Sequence, residues 1–150
     1  MICLAQTSRQ PRSMPSGPRS QLSRQDRARL NAMLLYLRDR FFDSGNAVEH
    51  LHAIFLDADR GFLADRRIGS GGKAGIALRM RALFAAALQL GSRSLIVAHN
   101  HPSGDCRPSS SDFAATKRLA AVEAALDIEL LDHLIITPDR AYSMRAGGAL

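Results

Sequence analysis

SLIVAHNHPSGDCRPSSSDF, residues 94–113, decides the fold. Its first six residues, SLIVAH, form a short apolar run of the kind that lies in a strand buried on both faces. Pro102, Gly104 and Pro108 then force the chain to turn. Ser109-Ser110-Ser111-Asp112 has the form of a helix start, with Ser109 as N-cap and Asp112 at the third helical position. A strand, a forced turn and a helix in immediate succession are the frame of an α/β domain. The same twenty residues carry chemistry. On a strand, residues two apart face one side, so His99 and His101 present their imidazoles to one point. Asp112, on the first turn of the helix, points its carboxylate back toward the strand end. Two His and one Asp supply three protein ligands and leave a fourth position for water, the arrangement of a catalytic Zn²⁺ site, one ion per chain. An isolated H-x-H is more often a pair of packed or surface histidines; the third ligand and the sharp loop reverse that preference here.

Working outward, Leu30, Met33, Leu34, Leu37 and Phe41 recur at helical spacing, predicting an amphipathic helix from Ser23 to Phe42, ended by Asp43-Ser44-Gly45-Asn46. An apolar stretch through Phe55 and Leu56, the turn-prone Asp57–Gly61 and a second run from Phe62 predict a hairpin. Gly69, Gly71, Gly72 and Gly75 mark a turning loop, and Ile76–Leu90 reads as a helix closed by Gly91. Beyond the opening stretch, Ser111–Asp127 reads as a helix with Phe113, Leu119, Val122 and Leu126 among its apolar positions. IELLDHLIIT follows as a strand, and Tyr142–Met144 as a last short one. The expected fold class is α/β or α+β, with a mixed β-sheet flanked by helices.

The 150 residues fit one domain of ordinary size, whose core rests on aliphatic side chains because Trp is absent and Phe and Tyr are few. The net charge of +6 is not spread evenly. Residues 1–30 hold six arginines against Asp26 alone, so the rest of the chain is close to neutral. Residues 1–24 are therefore expected to form a flexible Arg/Ser/Pro-rich tail, and 25–150 the domain. The tail offers contacts for nucleic acid through counterion release; a solvated leader is at least as good a reading. Cys3 and Cys106 do not suggest a disulfide framework, there is no export-signal pattern, and no apolar window is long enough to span a membrane. A cytoplasmic protein without membrane partners is expected; the oligomeric state cannot be read.

HNHPSGDCRPSSSD resembles the JAMM motif of the JAB/MPN metallopeptidase superfamily. More narrowly, AHNHPSG followed by PSSSD and then LLDHLII is similar to the RadC family of bacterial proteins, over about two-thirds of the chain from Glu49 onward. The resemblance implies a single JAB/MPN-like domain with His99, His101 and Asp112 as zinc ligands. It also implies Ser109 as the serine that supports the tetrahedral intermediate and Glu49 as general base. The implied activity is zinc-dependent hydrolysis of an amide or isopeptide bond in a peptide or protein conjugate. Two segments depart from the family pattern. Leu78–Ala82 lacks the Pro and Glu of V-x-P-R-E, and Gly71-Gly72 stands in place of Gly-Thr, so no particular substrate is carried over. Only the Arg-rich tail and one helix precede Glu49, where longer members have a helix-hairpin-helix region; DNA binding is not expected from that source.

Cys106, Asp105 and the pair Asp132-His133 carry open readings. Cys106 lines the site, is exposed, or less readily ligates zinc. Asp105 suits loop hydrogen bonding better than ligation. In Asp132-His133, packing or a surface polar pair competes with support of the metal site by one of the two. The alternative for the whole chain is a non-catalytic RadC-like domain acting in DNA-repair-related binding of DNA or protein. A metal-dependent nuclease fits poorly, since phosphodiester cleavage usually uses two metals and ligands for one are present.

Overall fold

A computed structural model describes residues 23–42, 48–70 and 75–150, with the side chains of Asp26 and of 75–79 excepted. Residues 1–22, the turn at 43–46 and Gly71-Gly72 lie outside the described residues, as does Cys3. The elements follow the expected order. Helix α1 spans Arg24–Phe42, strands β1 and β2 span His50–Leu56 and Phe62–Ser70, and α2 spans Gly75–Leu90. Strand β3 (Ser94–Asn100), helix α3 (Ser110–Leu126), β4 (Glu129–Ile136) and β5 (Ala141–Ser143) complete the chain.

The strands form one mixed sheet in the order β2-β1-β3-β4-β5, so β2 and β5 are its edges. Neighbours pair antiparallel except β3 and β4, which run parallel. Parallel strands need a crossover, and α3 supplies it. Both β1 and β3 are central and apolar, and β1 is buried along its whole length. Alternation of side chains across the sheet makes two cores. One face carries Ala53, Phe55, Leu95 and Val97 against Leu83 and Ala87 of α2 and Leu119 of α3. The other carries Ile54, Ala98, Leu134 and Ile136 against Leu34, Leu37 and Phe41 of α1, three of the positions that helical spacing picked out.

Local sequence accounts for the boundaries. Asp57 Oδ1 accepts the amides of Asp59 and Gly61 at 2.9 and 2.7 Å, fixing the hairpin turn between β1 and β2. Gly91 ends α2 at φ +65°, where a Cβ would be strained. Two expectations are corrected. Gly69 belongs to β2 and Gly75 to α2, because β2 continues its pairing with β1 as far as Ser70 opposite His50. Phe113 is 38% exposed, since α3 turns Asp112, Ala115, Thr116 and Leu119 inward and leaves Phe113 about 100° round the helix. No helix among the described residues is long and apolar enough to cross a membrane.

A candidate metal centre at the parallel strand ends

Strand β3 ends at Asn100, and the His101 amide adds one more rung by donating to the Ile136 carbonyl at 2.9 Å. His101-Pro102-Ser103-Gly104 is then a turn, closed by the Gly104 amide on the His101 carbonyl at 3.1 Å, with Pro second and Gly104 fourth at φ +79°. Asp105 receives Arg107 through both carboxylate oxygens, and that guanidinium holds the carboxyl down at about 2. Its exposed place in the loop agrees with the hydrogen-bonding role expected of it. Ser109 caps α3 and Asp112 completes a capping box: the Ser109 amide donates to Asp112 Oδ2 at 2.6 Å, and Ser109 Oγ accepts the Asp112 amide.

The consequence of strand end, turn and cap is convergence. One ligand atom from each of His99, His101 and Asp112 lies within 4.8 Å of the others; among the described residues this is the group suited to a metal ion. The two Nε2 atoms are 3.0 Å apart, and Asp112 Oδ1 and Oδ2 lie 3.3 Å from His99 Nε2 and 3.6 Å from His101 Nε2. His101 Nδ1 meets the Asp105 carbonyl at 2.8 Å. A carbonyl only accepts, so the proton sits on Nδ1 and the Nε2 lone pair faces the cluster. Lone pairs and a carboxylate pointed at one spot suit a cation, and these three residues could hold a metal ion with a further position open. The hydrogen bond to Asp112 raises the His101 pKa above its usual value, against burial. Burial pushes the Asp112 carboxyl up, but its contacts with His101, His99 and Ser109 outweigh it and hold the group well below the ordinary carboxylate range.

Glu49 is half-buried at the entry to β1, near enough for its charge to act on His101. A residue that pattern reading did not single out holds it there. Asn100 lies between the two histidines and faces the opposite way, fully buried. Its Oδ1 accepts the His50 amide at 2.6 Å and its Nδ2 donates to the Val48 carbonyl at 3.1 Å, so one amide grips the backbone on both sides of Glu49. Asn100→Ala is expected to lower stability by about 2–3 kcal/mol, because it leaves these two backbone groups unpaired. A urea unfolding series checks this; a loss below 0.5 kcal/mol, on the order of a neutral surface change, would contradict the clamp.

Behind His99, the Nδ1 atom meets His133 Nε2 at 2.9 Å, and His133 Nδ1 meets Thr116 Oγ1 at 2.7 Å. Of the Asp132-His133 pair it is His133 that turns toward the site. Asp132 binds Ser143 Oγ at 2.5 Å and the Arg145 amide, with burial raising its pKa. Cys106 stands outside the three-ligand group. It is buried against Ile135, Tyr142 and Met144, which removes the exposed reading.

Known proteins resemble this chain over most of its length. A family model described as a RadC-like JAB domain matches residues 25–149. A UPF0758 protein of Listeria innocua is 40% identical over 100 residues, covering 67% of this chain and 45% of that protein. One from Paraburkholderia xenovorans is 38% identical over 113 residues, 75% of this chain and 44% of the relative. One from Flavobacterium johnsoniae is 37% identical over 95 residues, 63% and 42% of the two chains. The match thus spans less than half the length of each of these relatives.

Proposed function

This chain belongs to the RadC-like JAB domain family, and on that premise we propose that it is a zinc-dependent hydrolase cleaving an amide or isopeptide bond in a peptide or protein conjugate. The observation that carries the reading is the convergence of His99 Nε2, His101 Nε2 and the Asp112 carboxylate, all inside one 4.8 Å cluster. These three residues would hold the ion. Bound there, zinc would bring the pKa of a water toward neutrality and polarise a substrate carbonyl.

The remaining work falls to side chains. Glu49, held beside the cluster by Asn100, takes a proton during attack and returns it to the leaving amine. Ser109 donates its hydroxyl proton to Asp112 Oδ2 at 2.6 Å, while Ser111 Oγ lies 2.7 Å from Ser109 Oγ. Its proposed support of the developing oxyanion calls for that proton to turn toward substrate once a metal engages Asp112. The Arg-rich residues 1–24 are proposed to add contacts to an anionic partner, and the compartment is proposed to be the cytoplasm.

Elemental analysis of the purified chain is the test. We expect close to one zinc per chain in the native protein and in Glu49→Gln, and close to none in His101→Ala. Hydrolysis of a mixed library of peptide amides and lysine isopeptides, followed by mass spectrometry, should require both zinc and Glu49. Near-zero metal in native protein equilibrated with zinc would sink the proposal. A fully loaded chain without hydrolysis, whose salt-dependent DNA binding is lost on deleting residues 1–24, would favour the non-catalytic alternative instead.

A further inference from the structure

The hydrogen bonds behind His99 have a direction that distances alone determine. Thr116 Oγ1 lies 2.7 Å from the Asp112 carbonyl oxygen. A carbonyl has no proton to give, so the single hydroxyl proton of Thr116 is donated to it. The same Oγ1 lies 2.7 Å from His133 Nδ1 and has only a lone pair left, which makes His133 Nδ1 the donor. His133 is 1% exposed, and a buried ring that already carries its proton on Nδ1 presents a lone pair at Nε2. That lone pair meets His99 Nδ1 at 2.9 Å, so His99 carries its proton on Nδ1. In the neutral ring Nε2 is then unprotonated, and it is this atom that faces His101 Nε2 and Asp112.

We propose that Thr116 and His133 are positioning residues that fix the tautomer and the ring plane of His99, so that Nε2 is ready for a metal. The inference rests on the metal reading above for its purpose, though the proton order holds in the metal-free chain. The relay is closed at both ends by one residue: Asp112 anchors Thr116 through its carbonyl and meets His99 through its carboxylate. Helix α3 and strands β3 and β4 are thereby locked at a single point. Such supporting hydrogen bonds typically change metal affinity by about 10–100-fold when removed.

Two measurements test it. Nitrogen-15 NMR of the metal-free native chain should show His99 with a protonated Nδ1 and an unprotonated Nε2, and His133 the same; the opposite pattern at His99 overturns the proposal whether or not the chain binds zinc. Titration with zinc alone, in competition with a chelator, should show Thr116→Val weaker by about 10–100-fold. Thr116→Ser, which keeps the hydroxyl, should restore native affinity. Native affinity in a folded Thr116→Val overturns the proposal. A native chain that binds no zinc but shows the expected tautomers overturns the metal reading and leaves the relay standing. Should Thr116→Val fail to fold, the spectrum of the native chain decides.

Discussion

Asp112→Asn is expected to strip the chain of zinc while leaving helix α3 in place. Asn is a good capping residue, and its side-chain oxygen still accepts the Ser109 amide that Asp112 Oδ2 accepts now. What disappears is the negative charge facing His99 and His101. Structural zinc sites with four ligands are worth about 10–16 kcal/mol, so one ligand accounts for roughly 3–4 kcal/mol, or ~10²–10³ in affinity. The metal-free variant should also titrate His101 at lower pH, because the hydrogen bond that raises its pKa is the one removed. Competition titration with zinc and a helix signal in circular dichroism measure the two halves. Unchanged affinity would show that Asp112 serves only as a cap.

Acid should begin to destabilise the metal-free chain well above the pH at which ordinary carboxylates protonate. His133 is fully buried, and burial above all lowers its pKa to about 3 from the 6.5 of a free imidazole. Below pH 6.5 the unfolded chain therefore binds a proton that the folded chain refuses. The penalty sets in near 6.5 and is complete below about 3, where it reaches on the order of 5 kcal/mol, a large part of the stability of a domain this size. His101 works in the other direction and in another range. Its raised pKa gives a gain that is full below 6.5 and is lost as the pH rises through the folded value. Asp112, depressed, gives a contribution that is full above the ordinary carboxylate range and falls away progressively as the pH drops below it. The metal-free chain should be most stable near pH 6.5. Urea unfolding at half-unit pH steps measures this, and a flat profile between 6.5 and 4 would contradict it.

Helix positions and the central strands were legible because periodicity reports burial directly. The stripe Leu34, Leu37 and Phe41 is the face that α1 buries, and SLIVAH is β3. The two histidines, Ser109 and Asp112 were legible because turn and cap chemistry constrains a short loop tightly. His133 was harder, and the reason is a bulge. Leu95 pairs with Leu130 but Ile96 pairs with Asp132, so β4 carries an extra residue at Leu131. Strict alternation from Leu130, which faces the α2–α3 core, would turn His133 away from His99. The extra residue reverses the alternation and brings His133 round to Thr116 and His99. Asn100 was missed for a related reason: between two histidines it looked like spacing, whereas its partners, Val48 and His50, sit just before and at the start of the neighbouring strand, far away in sequence.

The two edges of the sheet bear on how the molecule behaves in a crowded solution. Exposed backbone donors and acceptors on an edge strand template further strands from other chains, which is the start of aggregation. Here β5 is only three residues long, too short to serve as a seed. Strand β2 is nine residues long, but it carries Asp65-Arg66-Arg67 and two breaks in its register against β1. Charge and irregular twist make it a poor match for an incoming strand. The sheet can thus expose the margin that leads toward Glu49 without growing into a fibre.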